Sequence, residues 1–164
     1  MPIELTPIGT VVGGRTEPDD DGWDAEVCEI EIDSSRFDES ALAGLDAFSH
    51  VEVVYVFDRV DESAVVTTAR HPRGRTDWPA VGIFAQRGRV RPNRLGVSVA
   101  RLLGVDGRRI RVRGLDAIEG TPVLDVKPVM AGFLPRGKVV EPAWATELMA
   151  DYWDGRTLEN PAND

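Results

Sequence analysis

The stretch HVEVVYVFD (residues 50–58) is nearly all β-branched or aromatic, a composition typical of a β-strand. It is the strongest strand signal in the chain. Shorter strand signals lie on both sides of it, at residues 5–12, 25–32, 65–69, 81–85, 96–103, 108–113 and 123–126. Because many short strands are separated by glycine turns, with little helix, the sequence predicts a β-barrel rather than an α/β sheet.

Residues 25–32 show the alternation expected of a strand with one buried face. Cys28, Ile30 and Ile32 fall on the same side of this strand, which we predict to face the core. Cys28 is therefore interpreted as a core residue. As the single cysteine of the chain, it excludes an internal disulfide framework.

One helix is predicted, close to the C-terminal end. In residues 142–153, Trp144, Leu148 and Tyr152 recur at a spacing of four, which places them on one helical face. Pro142 suits the first turn of that helix. We therefore expect a mainly β, single-domain barrel over residues 1–140, followed by a C-terminal helix and flexible tail over residues 141–164.

The charge of the chain is unevenly distributed. The formal net charge of −9 argues against a nucleic-acid partner, since phosphate repels an acidic surface. However, residues 17–39 contain eleven acidic residues, and residues 70–94 contain seven arginines and one acid, Asp77. Two interpretations stay open: the arginines form a cationic surface, or they pair with the acidic N-terminal half.

Several familiar classes of protein are excluded by missing motifs. The chain has no apolar run of roughly 18 residues and no signal-peptide pattern at its start, so we expect a cytoplasmic protein. It has no glycine-rich dinucleotide turn or phosphate loop. It also has no nucleophile elbow, although Ser/His/Asp catalysis stays open because the members of a triad need not be close in sequence. His50, His71 and Cys28 have no recognised zinc spacing, so no metal site is expected. Trp23 and Trp78 fall in predicted loops, as stacking surfaces or dimer contacts.

Four segments carry more than core information. They are residues 48–51 (FSHV), 82–87 (GIFAQR), 91–98 (RPNRLGVS) and 115–128 (LDAIEGTPVLDVKP). In this order and spacing, and with residues 7–11 (PIGTV) before them, they resemble the TsaA/TrmO-like family over about residues 5–130. The resemblance implies a homodimeric β-barrel methyltransferase that binds S-adenosylmethionine near the subunit interface. In characterised relatives the substrate is N6-threonylcarbamoyladenosine in the tRNA anticodon loop.

The resemblance also implies site residues, which we carry over by position. The expected cofactor-binding residues are Phe57, Asp58, Arg87, Leu95, Val97, Asp116, Ile118, Glu119, Gly120, Thr121 and Pro122. Asn93 and Ser98 are the candidate catalytic residues, as polar groups able to orient the methyl-accepting nucleophile. His71, Arg73, Arg91 and Lys127 are the candidate substrate-binding residues. The carboxylates of Asp116 and Glu119 would balance the sulfonium charge or accept hydrogen bonds from the ribose or amino group.

The sequence departs from the family pattern mildly at the expected cofactor site and more strongly in a segment that bears on the substrate. Glu119 stands where an aspartate is expected, which keeps the charge. Residues 13–21 (GGRTEPDDD) replace the usual Pro-Arg-Gln-type segment, and such an acidic loop is a poor surface for an RNA backbone. Three functions therefore stay open: a tRNA adenosine methyltransferase, a methyltransferase of the same fold with another acceptor, and a non-catalytic cofactor-binding member.

Overall fold

A computed structural model describes residues 1–153 of the chain. Its strands are β1 (Gly9–Val12), β2 (Val27–Ile32), β3 (His50–Val56), β4 (Ala69–Arg70), β5 (Val81–Gly82), β6 (Leu95–Asp106), β7 (Arg109–Arg113) and β8 (Pro122–Pro128). Helix α1 spans Ala143–Met149, and short 3-10 turns fill several of the connections. The predicted mainly β barrel with a short C-terminal helix is confirmed.

Six of the strands close into an antiparallel barrel, in the order β1-β2-β7-β6-β3-β8. β3, the strand expected to be strongest, pairs with β6 on one side and with β8 on the other. Its residues alternate between buried and half-buried positions, with Val51, Val53 and Tyr55 facing the core. The closed barrel leaves none of these six strands with a free edge, which removes a common site of aggregation.

The barrel core contains the apolar residues that the alternation predicted. Cys28, Ile30 and Ile32 of β2 are at most 5% exposed, and Ile110 and Val112 of β7 are fully buried. Burial raises the pKa of the Cys28 thiol to about 12. Cys28 is therefore a core residue and not a reactive thiol.

The segments at residues 65–69 and 81–85 differ from their predicted strands. Only two residue pairs form between β4 and β5, in a small sheet separate from the barrel. Residues Ile83–Ala85 form a 3-10 turn in which Ile83 is buried and Phe84 is 80% exposed. The apolar run predicted a buried strand, but it lies outside the barrel, where no long neighbouring strand extends its hydrogen-bonded ladder.

Two tryptophans predicted in loops are buried outside the strands of the barrel. Trp23 and Trp78 are 4% and 5% exposed, so they are packed within the chain and do not form surface stacking platforms. The guanidinium groups of Arg15 and Arg75 cover their rings at 4.3 and 3.9 Å from the centroids. No helix among residues 1–153 is long and apolar enough to cross a membrane.

Helix α1 follows the barrel as predicted but is shorter than residues 142–153. It is linked to the rest of the chain by a hydrogen bond of 2.7 Å from Trp78 Nε1 to Glu147 Oε2. The division into a barrel over residues 1–140 and a helix with tail over residues 141–164 stays a prediction. The last part of that tail, residues 154–164, lies outside the described residues.

A close approach between neighbouring strands explains Gly96 in β6. Gly96 lies opposite Tyr55 of β3, and a Cβ at this position would overlap the Tyr55 ring. Gly96, Ser98 and Ala100 all face the barrel interior, so small residues of β6 leave room for the large ring. A similar approach occurs at Gly9, where a Cβ would overlap the backbone carbonyl of Glu31.

Gly96→Ala is expected to lower the free energy of unfolding by about 1–3 kcal/mol, because the Tyr55 ring must move in a packed core. Gly104→Ala is the matched control, since it lies in the same strand and a Cβ there meets nothing within 4 Å. Urea denaturation of both variants measures the difference. Equal stability of the two variants would contradict the packing role of Gly96.

Candidate functional site

The carboxylate of Asp116 is the centre of a polar cluster at one end of the barrel. Asp116 follows β7 in the loop that leads to β8. Tyr55 donates its hydroxyl hydrogen bond to Asp116 Oδ1 at 2.9 Å and lies 3.1 Å from the Asp116 carbonyl oxygen. Tyr152 donates to the other carboxylate oxygen, Oδ2. Both oxygens of Asp116 are thus oriented by phenol groups from distant parts of the chain.

The two phenols act as hydrogen-bond donors over the whole physiological pH range. Burial raises the pKa of Tyr55, and the adjacent negative charge of Asp116 raises it further. The same two causes, in the same order, raise the pKa of Tyr152. Both hydroxyls therefore stay protonated and remain donors to Asp116.

Two arginines bring positive charge to this cluster. The positive charge of Arg87 lowers the pKa of both tyrosines and so partly offsets the rise. The charge of Arg73 has the same effect on the pKa of Tyr152. Arg87 Nη2 also donates to the carbonyl oxygen of Val97 at 2.7 Å. The structure therefore brings together four of the residues expected from sequence, namely Arg73, Arg87, Val97 and Asp116.

The loop after Asp116 is fixed to the first strand of the barrel. The Gly120 N–H donates to the Val11 carbonyl at 2.8 Å, and the Val11 N–H donates to the Thr121 carbonyl at 3.0 Å. The Glu119 N–H donates to the Arg15 carbonyl at 2.7 Å. These bonds hold the loop of the expected cofactor site rigidly beside β1. Thr121 itself is 4% exposed.

The remaining expected cofactor residues lie around Tyr55 and along the same loop. The ring of Phe57 packs edge-on against the Tyr55 ring at 5.3 Å between centroids. The Phe57 N–H donates to the Arg94 carbonyl, next to Leu95 at the start of β6. Asp58 is exposed, while Ile118 and Pro122 are half-buried.

The two candidate catalytic residues lie in different surroundings. Asn93 is exposed, in a turn where its φ of 62° is in the left-handed region. Asn tolerates this conformation better than most residues. Ser98 faces the barrel interior beside Val53 and is 6% exposed. The structure therefore does not present them on one surface, and their catalytic roles stay predictions.

The candidate substrate residues are divided between two regions. His71 Nδ1 lies 2.7 Å from the Trp78 carbonyl oxygen, which can only accept, so Nδ1 carries the proton and Nε2 is free to accept when the ring is neutral. Arg91 Nη1 donates to the Gln86 carbonyl at 2.7 Å. Lys127 lies elsewhere, on the outer face of β8, where a hydrogen bond from its ammonium group to Asp125 raises the pKa of Lys127.

Some arginines of residues 70–94 pair with carboxylates and others do not, so each of the two interpretations of their charge applies to part of the segment. Arg73 pairs with Asp21 of the acidic loop at 2.8 Å, and Arg75 pairs with Asp77. Arg87, Arg91 and Arg94 instead donate to backbone carbonyls, which leaves their charge uncompensated by those bonds. Part of the arginine charge thus remains available, while the acidic loop pairs with Arg73 through Asp21.

Tyr55 and Tyr152 are the site residues that sequence reasoning missed. The sequence analysis predicts a strand for the segment that contains Tyr55 and a helical face for Tyr152, and it assigns neither residue to the site. The available signal was a phenol on an otherwise apolar face, since a buried hydroxyl requires a partner. The position of that partner depends on the barrel closing, which no local pattern records.

No cluster of three or more His, Cys, Asp or Glu side chains able to hold a metal occurs within residues 1–153. Two surface concavities, of about 480 and 420 Å³, lie near the Pro7–Thr10 region and beside Phe37 respectively. Neither includes Asp116, Arg87 or Thr121. In the single chain, the Asp116 cluster is therefore not part of either cavity.

A closed antiparallel barrel with a tyrosine-held carboxylate and an arginine at one end defines a class of β-barrel protein distinct from the doubly wound nucleotide-binding folds. Residues 16–133 match the profile of the tRNA-methyltransferase O N-terminal domain. The chain belongs to this family, and the resemblance drawn from its four motifs is confirmed.

Individual relatives and a solved structure agree with this family assignment. The chain is 38% identical over 104 residues to the human tRNA (adenine(37)-N6)-methyltransferase, covering 63% of this chain and 23% of that protein. It is 34% identical over 132 residues to a "Probable S-adenosyl-L-methionine-binding protein" of Methanothermobacter thermautotrophicus, covering 78% and 90%. The crystal structure of TrmO from Pseudomonas aeruginosa matches with a TM-score of 0.69 and 27% identity, covering 85% and 61%. The chain thus spans less than a quarter of the human relative.

Proposed function

We propose that this chain is an S-adenosylmethionine-dependent methyltransferase that methylates N6 of N6-threonylcarbamoyladenosine in the tRNA anticodon loop. The observation that carries the proposal is the Asp116 cluster, which combines a fixed carboxylate, an arginine and apolar side chains in the position expected for the cofactor. The names of the human and archaeal relatives support the reaction and the cofactor. A tRNA substrate also supports a cytoplasmic location.

The donor set at the cluster fits the chemical groups of S-adenosylmethionine. Asp116 offers a negative charge for the sulfonium or for the ribose hydroxyls, and Arg87 offers a guanidinium for the amino-acid carboxylate. Phe57, Leu95 and Val97 supply apolar surface beside them. When bound, the cofactor supplies a methyl group activated by the sulfonium charge. Metal is not required for this chemistry.

The protein's contribution to the reaction is orientation. The acceptor nitrogen must lie about 3 Å from the methyl carbon, so groups that fix the acceptor contribute most to the rate. We propose that Asn93 acts on the acceptor, with His71, Arg73 and Arg91 holding it, and that Glu119 adds charge beside Asp116. Ser98 faces the barrel interior, so its proposed part is indirect, through the strand that also contains Val97. Lys127 would reach the substrate only across the outer face of β8.

A second acceptor class is favoured by one observation. Asp21 of the acidic loop pairs with Arg73, one of the expected substrate residues, at 2.8 Å. An acidic loop beside the site opposes phosphate and suits a small or cationic acceptor. Methyl transfer to such a molecule by the same cluster is therefore the alternative function.

We further propose a homodimer with the site close to its interface. Large apolar side chains are exposed at Phe84 (80%) and on β6 at Val97 (40%) and Val99 (45%), and the Val97 carbonyl accepts from Arg87 of the Asp116 cluster. Large apolar side chains left exposed in a single chain are often covered by a partner at an interface. A partner subunit would also cover a cluster that the single chain leaves open.

Asp116→Asn and Arg87→Ala are expected to weaken S-adenosylmethionine binding by about tenfold or more, because each removes a charge-assisted hydrogen bond. Isothermal titration calorimetry with S-adenosylmethionine and with S-adenosylhomocysteine, whose sulfur is a neutral thioether, separates the two roles of Asp116. A larger loss for the sulfonium compound indicates charge balance, and an equal loss indicates ribose or amino contacts. Asp125→Asn is the matched control, a carboxylate of β8 that pairs with Lys127. Failure of the parent protein to bind either compound would contradict the proposal.

Binding to tRNA is expected to weaken steeply with salt, because arginines that contact phosphate release counterions. Replacing the exposed Arg89 by alanine should reduce the slope of log K against log salt by about one. Asp21→Asn should strengthen binding at low salt, since it frees the charge of Arg73. Filter binding at several salt concentrations measures all three proteins. Binding of S-adenosylmethionine without any salt-dependent tRNA binding would favour the second acceptor class.

Phe84→Asp is expected to convert the dimer to a monomer, because it places a charge in the apolar contact. Analytical ultracentrifugation of the parent and the variant measures the change. Phe133→Asp is the comparison, a second phenylalanine that is 88% exposed but lies after β8. A monomeric parent protein would refute the assembly.

A further inference from the structure

The segment after the barrel contacts the proposed cofactor site although it lies outside the family match. The match ends at residue 133, whereas residues 141–153, here called the C-terminal strap, run back to the Asp116 cluster. The strap is fixed at its helix by the hydrogen bond from Trp78 to Glu147. It therefore adds groups to the site that the shared barrel does not contain.

The end of the strap is held by consecutive backbone hydrogen bonds. The N–H groups of Gly22 and Trp23 donate to the carbonyls of Asp151 and Tyr152 at 3.2 and 3.1 Å, and the Asp24 N–H donates to Trp153. Trp23 is itself 4% exposed and covered by Arg15. The backbone of Tyr152 is thus fixed to a buried part of the molecule, which leaves its ring little freedom.

The fixed ring of Tyr152 determines the orientation of the Asp116 carboxylate. Tyr55 binds Oδ1 and Tyr152 binds Oδ2, so rotation of the carboxylate would break one bond or the other. A carboxylate has about four lone-pair positions, so two remain for a ligand after both phenols are bound. The contact with Tyr152 therefore orients Asp116 without blocking it.

We infer that Tyr152 is a positioning residue of the cofactor site, which acts through Asp116 and is supplied by the C-terminal strap. This inference rests on the proposed function, because it assigns Tyr152 to the same site. A purely structural role would require only that the strap stay docked. A positioning role requires in addition that the hydroxyl and Asp116 act together.

A double-mutant cycle tests this coupling. Tyr152→Phe removes one hydroxyl and is expected to weaken S-adenosylmethionine binding about tenfold, as measured by calorimetry. In the Asp116→Asn background, the same change should weaken binding less than about twofold, because its partner has already lost its charge. Thr146→Val is the matched control, since it removes a strap hydroxyl that bonds only Glu141 among the described residues. It should leave binding unchanged.

Hydrogen exchange of the Trp23 amide distinguishes positioning from loss of docking. This amide donates to the Tyr152 carbonyl, so unchanged protection in Tyr152→Phe shows that the strap remains bound. The inference is overturned if Tyr152→Phe binds as the parent does, if its effect is equally large with Asp116→Asn, or if protection of Trp23 is lost. A parent protein that binds no S-adenosylmethionine would instead overturn the proposed function, and the inference with it.

Discussion

The hydrogen bond from Tyr55 to Asp116 is the interaction that the barrel and the site share. Tyr55 is 1% exposed, so its hydroxyl needs a hydrogen-bond partner inside the protein. Without one, burial of the hydroxyl would lower the stability of the folded protein. It reaches Asp116 at 2.9 Å only because the ring lies flat against Gly96, where any side chain would block it. A single buried ring thus links the packing of β3 on β6 to the position of a ligand-binding carboxylate.

The residues of the sequence motifs fall into two groups, those that allow the strands to pack and those that bring charge to the site. Gly96 and Gly9 serve strand packing, because both allow close approach of neighbouring strands. Arg87 and Asp116 instead bring charged groups to the site. A shift in register between β3 and β8 at Val54/Tyr55 falls at the same level of the barrel, and bulges of this kind often turn a side chain toward a functional site. The motif residues are therefore partly architecture and partly chemistry.

Local patterns predicted the barrel walls well, since a strand with one buried face must alternate, as Cys28, Ile30 and Ile32 do. They failed at Phe84, because an apolar run does not show whether a neighbouring strand exists to extend it. They also failed at Trp23 and Trp78, since the arginines that cover these rings are set by loop geometry. The contact of Tyr152 could not be predicted from local patterns either, because its partner, Asp116, is 36 residues away in sequence.

The distribution of charge around the site affects how strongly it attracts a phosphate-bearing acceptor. Ion pairs such as Arg73–Asp21 are partly exposed and contribute little to stability, about 0–1 kcal/mol each. Their effect is on the local potential, because the acidic loop neutralises one end of the arginine surface while Arg87 and Arg91 keep their charge. The residues directly after this loop, Gly22 and Trp23, donate backbone hydrogen bonds to the strap. The acidic loop, which weakens attraction for phosphate, is thus continuous with the residues that fix Tyr152 near Asp116, so acceptor selection and cofactor positioning depend on adjacent parts of the chain.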